Sequence, residues 1–499
     1  MRLNLTRDRC LWLLALSVAL AFIMAQWSLR PPWRDEYWAL YFSEPEDDLV
    51  ALIRWRISND VHPPLYFSIL RAWRQWFDGE YAARALNLVF ICVGGALGWA
   101  LRGDRPKETL LFLGLCATSF WLVFYSAEIR MMSGVFVVCA LTVLAGRNLT
   151  MGHRVWVNAF VFIGLGAIAS LSHYFAAVWV ASFGLSLGLG SLARGHARAL
   201  IGIGTISFAA ILPTACWVLL SRPDQNPGAP DPDLGVLQAL MDGLEQVLRG
   251  LIIKTGFANL LVVGLTWLGW QAALRSEQRH ELLCILTGAG LTVGIVFAIQ
   301  LLYLPFIKER AFIVIIPALL YIASVSLCAL KPEQVRAQRC LKWVPVAAIA
   351  SLPLFSTEFF KDREQYGDVR AYLSRAPQCA DVDIVAYERP SEQAVDFSWY
   401  FTQRVLRGTY DPGTLSLRYL YGATDRPVQD ACPVRALALA MPRGTWGTEE
   451  MLAAFTAANH PVDDWIMIRF GEGRSYIFVS EGREDLAQPF GQTAAETQP

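Results

Sequence analysis

The sequence predicts a polytopic α-helical membrane protein that ends in a small α/β domain. Of its 499 residues, 55% are hydrophobic and only 17% are charged, and the mean hydropathy is +0.37. The apolar residues are gathered into blocks of about 20, the length that a helix needs to cross a bilayer. This composition excludes a soluble globular protein, and the net charge of zero gives no sign of a nucleic-acid partner.

The apolar blocks predict eleven transmembrane helices, or one more or fewer, because the loops at 127–130 and 172–174 are very short. The first block is interpreted as a retained helix, since RPPW follows it where a signal peptide would carry small residues. The predicted spans lie near 11–29, 83–101, 109–126, 131–147, 155–172, 174–192, 200–220, 256–274, 282–303, 311–329 and 343–358.

Lysine and arginine are concentrated in the short loops on one side of the predicted bundle. Such loops are usually cytoplasmic, so we expect the N-terminus inside, and the first loop and residues 360–499 outside. The basic loops contain Arg2, Arg7 and Arg9; Arg102, Arg105 and Lys107; Arg147 and Arg154; Arg194 and Arg198; Arg275 and Arg279; and Lys331, Arg336, Arg339 and Lys342.

The first external loop, residues 30–82, is predicted to form amphipathic helices at the membrane surface. Segments 47–60 and 63–77 place apolar residues beside Trp and Arg, a combination typical of the headgroup region. Pro63 and Pro64 suit the start of the second helix, where a missing N–H is tolerated. Juxtamembrane packing alone would explain such helices, but this loop also carries carboxylates.

The C-terminal domain is predicted at 359–499, after a transmembrane domain at 1–358. Segments 381–387 and 434–441 are predicted to be strands, and 448–459 is predicted to be a helix. WIMIRF and RSYIFV, separated by GEG, are predicted to form a hairpin. Cys379 and Cys432 each precede a predicted strand, so a disulfide is possible if those strands are neighbours.

Charged residues flank the outer ends of several predicted spans. Placing an acidic residue near hydrocarbon costs free energy, so acidic residues found there usually have a function. Any one of them alone could equally be a surface ion pair, but six distant segments deliver them to one side, which favours a functional site. The set is Asp35 and Glu36 in RDEYW, His62 in HPPLY, Glu128 and Arg130 in YSAEIRMM, His173 in LSHYF, and Lys308 and Arg310 in YLPFIKER.

These residue types suit group transfer from a phosphate-linked donor. A carboxylate can accept the proton of an attacking hydroxyl, and cations can hold the departing phosphate. No cofactor is required for this chemistry, although a pair of carboxylates could hold a divalent cation. A glycine-rich nucleotide loop that opens a helix is absent from the sequence, so a soluble nucleotide donor is not indicated.

The same motifs, in the same order, resemble the bacterial GT-C fold glycosyltransferases. That superfamily includes protein O-mannosyltransferases, lipid A aminoarabinose transferases and rhizobial lipopolysaccharide galacturonic acid transferases, and the resemblance covers residues 1–330. It implies a hexosyl- or pentosyltransferase of the inner membrane with a polyprenyl-phosphate sugar donor, such as undecaprenyl phosphate, an external acceptor, and inversion at the anomeric carbon. It also implies that the Pro- and Gly-rich loop at 221–254 is either a linker or a mobile cover for the site.

The resemblance assigns a role to each candidate residue. The sequence departs from the family pattern at Ala127, Met132 and the Ala311–Phe312 pair. The implied catalytic residues are Asp35, Glu36 and Glu128; the donor phosphate is held by Lys308, Arg310 and Arg130; His62, Tyr66 and His173 bind substrate or shape the site; and a metal, if present, is held by Asp35 and Glu128.

The acceptor is predicted to be lipopolysaccharide core or lipid A, with a surface polysaccharide as the next choice. Protein O-glycosylation is the rival within the same fold. A transporter of lipid-linked sugars is the rival from another class, although the sequence has no internal repeat and its charges lie at span ends rather than mid-span. A catalytically inactive scaffold is a third alternative.

Overall fold

The computed structural model divides the chain into two compact units. The first comprises Met1–Ser28 and Phe42–Phe359, and the second comprises Leu29–Tyr41 and Phe360–Pro499. The structure describes residues 5–30, 32–45, 47–59, 62–221, 241, 243–245, 258–302, 309–330, 343–350, 352, 384–387, 417–419, 434–438, 456, 465–470 and 475–480.

Long apolar helices dominate the first unit. Within the described residues, seven helices are long and apolar enough to cross a membrane, and shorter apolar helices cover Val262–Leu274 and Ile316–Cys328. The count of eleven spans therefore stays a prediction. The helices of this unit are α1 (Leu5–Leu29), α3 (Leu49–Ala51), α4 (Leu65–Arg74), α5 (Glu80–Ala100), α6 (Pro106–Ala117), α7 (Phe120–Tyr125), α8 (Met132–Thr150), α9 (Val155–Ser172), α10 (Tyr174–Ala193), α11 (Ala197–Leu220), α12 (Ala258–Leu274), α13 (Arg279–Leu302), α14 (Ile316–Cys328) and α15 (Val344–Ala350); α2 (Arg34–Tyr41) belongs to the second unit.

The third predicted span is broken in the structure, which corrects the single helix expected over 109–126. The break falls at Thr118 and Ser119, between α6 and α7. The Thr118 hydroxyl donates to Gly114 O (2.9 Å), and Ser119 Oγ accepts from Leu122 N (3.3 Å) as an N-cap. Because such hydroxyls compete with the helical hydrogen-bond ladder, they end one helix and begin the next. All six residues of α7 are buried.

Helix α8 is the central helix of the first unit. It packs against α5, α7, α9, α10, α13 and α14. Its Phe136, Cys139 and Val143 side chains are fully buried, and Thr142 Oγ1 accepts a hydrogen bond from Trp179 Nε1 (3.2 Å). Close approach of α8 and α10 depends on Gly146, because a Cβ there would lie 2.5 Å from the Phe183 ring. The middle and C-terminal part of α8 are therefore closely packed inside the helix bundle.

A buried polar cluster surrounds the C-terminal end of α8. Arg147 was expected in a basic loop, but it lies in the last turn of α8 and is fully buried. Its guanidinium donates to Leu101 O (2.6 Å), Thr109 Oγ1 (3.1 Å) and Asn148 Oδ1 (2.9 Å). These partners replace the water that a loop arginine would have, so the side chain can stay inside the bundle.

The same cluster continues into an ion pair between distant helices. Glu281 on α13 accepts from Arg105 (2.9 Å) and from the Tyr321 hydroxyl on α14. The Arg147 guanidinium carbon lies 6.0 Å from the centre of the Tyr321 ring. We call this group, with Arg147 and its partners, the α8 C-terminal network; it joins α6, α8, α13 and α14.

The second unit contains a five-stranded sheet. Its strands are β1 (Ile384–Tyr387), β2 (Leu417–Tyr419), β3 (Val434–Ala438), β4 (Trp465–Phe470) and β5 (Ser475–Ser480), in the order β2-β1-β3-β5-β4. β1 pairs in parallel with β2 and β3, while β5 pairs antiparallel with β3 and β4. β4 and β5 form the hairpin that WIMIRF and RSYIFV predicted, with Ile477, Phe478 and Val479 buried. The helix predicted at 448–459, apart from Thr456, and both Cys379 and Cys432 lie outside the described residues.

Candidate active site

The RDEYW segment begins α2 in the second unit, with Asp35 and Glu36 in the first turn. The two carboxylates differ in environment. Glu36 is fully buried and its Oε2 accepts from the backbone N–H of Trp33 (3.2 Å), while its own N–H donates to Trp33 O (2.9 Å). This reciprocal pair is a capping arrangement that stabilises the start of α2. Asp35 is half-buried, which makes it the better candidate for contact with a substrate.

The first loop is held by its own arginines. Arg74 is buried and donates to Ser43 O (3.0 Å), and it pairs with Glu44 (3.4 Å). Arg71 donates to Asp47 O through two nitrogens. These bonds hold residues 43–47, which precede α3, against α4. The predicted amphipathic helix at 63–77 is thus present as α4, with Pro64 at its N-cap.

Helix α4 carries Tyr66 and follows directly after His62. It packs against α5 and α9, which brings the HPPLY segment to the end of α9 where His173 lies. Tyr66 is buried, and its ring contacts Phe67 edge-on with centroids 5.9 Å apart. The ring of His62 lies 5.9 Å from the ring of His173. Two residues that are 111 positions apart in the sequence therefore meet.

Glu128 and Arg130 occupy the tight turn that connects α7 to α8. Both side chains are buried, with 1% and 5% of their surface exposed. The turn closes through Glu128 N to Tyr125 O (3.2 Å) and Arg130 N to Glu128 O (2.8 Å). An acid and a base two residues apart are thereby presented at the N-terminal end of α8. Sequence reasoning missed a third polar group here, Asn87 on α5, whose amide contacts this turn.

Arg310 lies in a short 3₁₀ helix, Glu309–Val314, that precedes α14. This segment packs against α8, α10 and α14, and its residues after Arg310 are buried. Apolar side chains anchor the segment, so its half-buried arginine is delivered to the end of the bundle where α8 and α10 begin. Lys308, the predicted partner of Arg310, lies outside the described residues.

His173 separates α9 from α10 and is buried. Its Nδ1 accepts the backbone N–H of Phe175 (3.2 Å), so it caps α10 and the proton of the neutral ring is on Nε2. Burial, and then the charges of His62, Arg310 and Arg130, lower the pKa of His173 well below its ordinary value. The ring is therefore neutral at physiological pH and donates from Nε2.

The first unit thus gathers four of the predicted site residues: His62, Arg130, His173 and Arg310. Glu128 is two residues from Arg130, and Tyr66 begins the helix after His62. The cations and the N-terminal end of α10 all favour negative charge, so this cluster can bind a phosphate-like anion. The cluster of His62, Arg130, His173 and Arg310 is called the anion site below.

The described residues contain no group of three His, Cys, Asp or Glu side chains that could hold a metal ion. A divalent cation held by Asp35 and Glu128 stays a prediction.

Two solved structures of one protein share this fold over nearly the whole chain, and a third structure matches more weakly. ArnT from Cupriavidus metallidurans bound to undecaprenyl phosphate superposes with a TM-score of 0.55 at 15% identity, over 98% of this chain and 99% of ArnT. The apo state of the same protein gives 0.55 and 15%, over 94% and 97%. The oligosaccharyltransferase from Archaeoglobus fulgidus in complex with zinc and sulfate gives 0.42 at 12% identity, over 81% of this chain and 62% of that chain.

By sequence, no protein-family profile matches the chain and the search of curated proteins gave no significant match. The structural match to ArnT confirms the predicted GT-C fold.

Proposed function

We propose that this protein is an integral membrane glycosyltransferase that takes a sugar from a polyprenyl-phosphate carrier. The observation that carries the proposal is the anion site at one end of a GT-C helix bundle, where the rings of His62 and His173 are in contact and the charges of Arg130 and Arg310 act on His173. A partly buried site of this charge suits a phosphate that is attached to a lipid, because the bilayer brings the carrier to the end of the bundle. The ArnT structure with undecaprenyl phosphate supports this class of donor.

The proposed reaction is a single inverting displacement. The oxygen of the acceptor hydroxyl attacks the anomeric carbon as the bond from that carbon to the phosphate oxygen breaks. The acceptor proton passes to a carboxylate, for which Asp35 is the candidate, and the electron pair of the broken bond leaves with the phosphate. Arg130 and Arg310 stabilise the charge that develops on the leaving phosphate, and His173 Nε2–H adds a neutral donor.

Glu128 has a separate proposed role. Its carboxylate is buried beside Arg130 in the same turn, so it can hold the arginine in place or orient the sugar. Glu36 is proposed to act indirectly, by stabilising the start of the helix that carries Asp35. Tyr66 and His62 shape the wall of the anion site.

The transporter alternative predicts a bundle that opens on both sides. The α8 C-terminal network argues against this, because it ties α6, α8, α13 and α14 together at the far end of α8. Residues 130 and 147 are separated by about 25 Å along a helix rising 1.5 Å per residue. Because the α8 C-terminal network closes the end of the bundle away from the anion site, it supports an enzyme that takes its donor from one side.

The acceptor is proposed to be lipopolysaccharide core or lipid A at the outer face of a bacterial inner membrane, with the C-terminal domain on the same side. Surface polysaccharide is the next candidate. Protein O-glycosylation is the alternative within the same chemistry.

The test is a transfer assay with the purified protein in lipid nanodiscs, a polyprenyl-phosphate sugar and an envelope glycolipid acceptor. Asp35→Asn is expected to lower the rate about 10²- to 10⁴-fold, the usual contribution of a general base. Asp48→Asn is the matched control, because Asp48 also lies in the first loop but caps α3 through an oxygen that Asn retains. Equal rates for both variants would reject Asp35 as the base. Movement of lipid-linked sugar across the bilayer without transfer would reject the enzyme.

A further inference from the structure

Helix α5 carries one amide in the middle of its buried face. Asn87 is fully buried on a helix that is long and apolar enough to cross a membrane. A buried amide is costly unless its donors and acceptor are bonded, so its presence requires specific partners.

The partners of Asn87 are all in or beside the turn that holds Glu128 and Arg130. Asn87 Nδ2 donates to Glu128 O (2.5 Å) and to Ser126 O (3.3 Å). Asn87 Oδ1 accepts from the hydroxyl of Ser133 (2.7 Å), which is buried in the first turn of α8. The Ser133 hydroxyl therefore orients the amide so that its NH₂ group points to the two carbonyls.

The bonds from Asn87 supply hydrogen-bond donors to backbone carbonyls in the turn between α7 and α8. Helix α7 ends at Tyr125 and α8 begins at Met132, so the carbonyls of Ser126 and Glu128 lie between the two helices. Glu128 O already accepts Arg130 N–H (2.8 Å), and the Asn87 amide is its second donor. A carbonyl held from two sides fixes the peptide plane between Glu128 and the following residue, and so fixes the direction of the side chains on either side of it.

We propose that Asn87 is a positioning residue that holds Glu128 and Arg130 in the geometry needed for sugar transfer. The inference rests on the proposed function, since it gives the two side chains their roles. Asn87 itself contacts backbone carbonyls and the Ser133 hydroxyl, so it acts through the turn. A displacement of about 1 Å at a reacting centre costs about 10²-fold in rate, which sets the expected size of the effect.

The chain offers a matched control in Asn158 on α9. Asn158 is also buried, and its Nδ2 donates to His153 O (2.7 Å) and Arg154 O (3.3 Å). Its Oδ1 accepts from Asn148 Nδ2 (3.2 Å). It thus makes the same three kinds of bond at the end of α8 that lies away from the anion site.

The experiment compares Asn87→Leu with Asn158→Leu in the transfer assay, together with thermal unfolding of each protein. Both variants are expected to unfold at lower temperature. Per folded molecule, Asn87→Leu is expected to lose about 10²-fold in kcat/KM, mainly in kcat, while Asn158→Leu stays within about twofold of wild type. Equal kcat/KM values for the two variants would overturn the proposal.

A double-mutant cycle in a Glu128→Gln/Arg130→Gln background separates positioning from general loosening. If Asn87 acts through the turn, Asn87→Leu lowers the residual rate of that variant by less than about threefold, because both charged groups that it positions are already removed. A further loss of about 10²-fold in that background would show that the two effects are independent and would contradict the proposal.

Ser133→Ala keeps the test decisive if Asn87→Leu does not fold. It removes only the hydroxyl that orients the amide, and a loss of about fivefold or more in kcat is expected, since one neutral hydrogen bond is worth about 1 kcal/mol. An unchanged kcat would overturn the inference. If Glu128→Gln itself has the wild-type rate, the proposed function fails at this turn; if Glu128→Gln is impaired and the Asn87 and Ser133 variants are not, only the positioning role fails.

Discussion

Replacing Arg147 by methionine tests whether the α8 C-terminal network holds the bundle together. Methionine has a similar length and no charge, so it fills the space while removing every hydrogen bond of the guanidinium. Arg147 is fully buried and donates to three acceptors from two other segments and its own helix. We expect the folded state to lose stability without losing the anion site, which lies at the other end of α8.

The size of the loss follows from what each acceptor retains. Leu101 O still accepts from Asn148 Nδ2 (3.0 Å), and the Thr109 hydroxyl still donates to Arg105 O (3.0 Å). Asn148 Oδ1 loses both bonds that it accepts from Arg147. One buried acceptor that loses its donors, and two sites that each lose one hydrogen bond, lower the free energy of unfolding by about 2–4 kcal/mol.

The assay is reversible unfolding in mixed micelles, followed by helical circular dichroism. Arg102→Met is the control, because Arg102 lies at the same end of the bundle, is partly exposed, and donates only to Trp99 O (3.0 Å) among the bonds described for it. That variant is expected to change the free energy of unfolding by less than about 0.5 kcal/mol. Indistinguishable unfolding of Arg147→Met and Arg102→Met would refute the assignment of Arg147 to a stabilising network.

Three further outcomes are expected. Because the pKa of His173 is lowered, only the unfolded state gains a proton there as the pH falls below 6.5, so stability should decline with acidification. His173→Asn, which keeps a capping oxygen, should flatten that decline, and an unchanged slope would contradict it. Arg310→Gln should weaken undecaprenyl-phosphate binding about 10-fold or more in a lipid-nanodisc titration, with Arg54→Gln unchanged; equal affinities would remove Arg310 from the anion site. Arg74→Met should expose the first loop to proteolysis because it removes the ion pair with Glu44 and the hydrogen bond to Ser43 O; wild-type resistance would show that these bonds are dispensable.

The sequence predicted the long helices and the hairpin because their signals are local. A continuous apolar block of about 20 residues has few alternatives to a spanning helix, and the short GEG connection leaves β4 and β5 little choice but to pair. The residues of the proposed anion site could also be selected from the sequence, since charged groups beside apolar spans are rare without a function, and their role stays a prediction.

Other features depend on partners that the sequence does not reveal. The sequence predicts Arg147 to be a loop cation because it stands near the end of an apolar block, whereas its burial depends on acceptors from Leu101, Thr109 and Asn148. The different environments of Asp35 and Glu36 depend on the backbone geometry at Trp33. Asn87 did leave a signal, a lone amide within the span predicted at 83–101, but its partners lie about 40 residues away.

The most direct test of the account is mass spectrometry of lipid A, core oligosaccharide and surface glycans from the host with this gene deleted and restored. The account predicts that one sugar mass is lost on deletion, and that wild type restores it while Asp35→Asn does not. Such a result would identify the sugar and the acceptor together. An unchanged glycan profile, with lipid-linked sugar accumulating on the inner side of the membrane, would contradict the account and indicate a transporter.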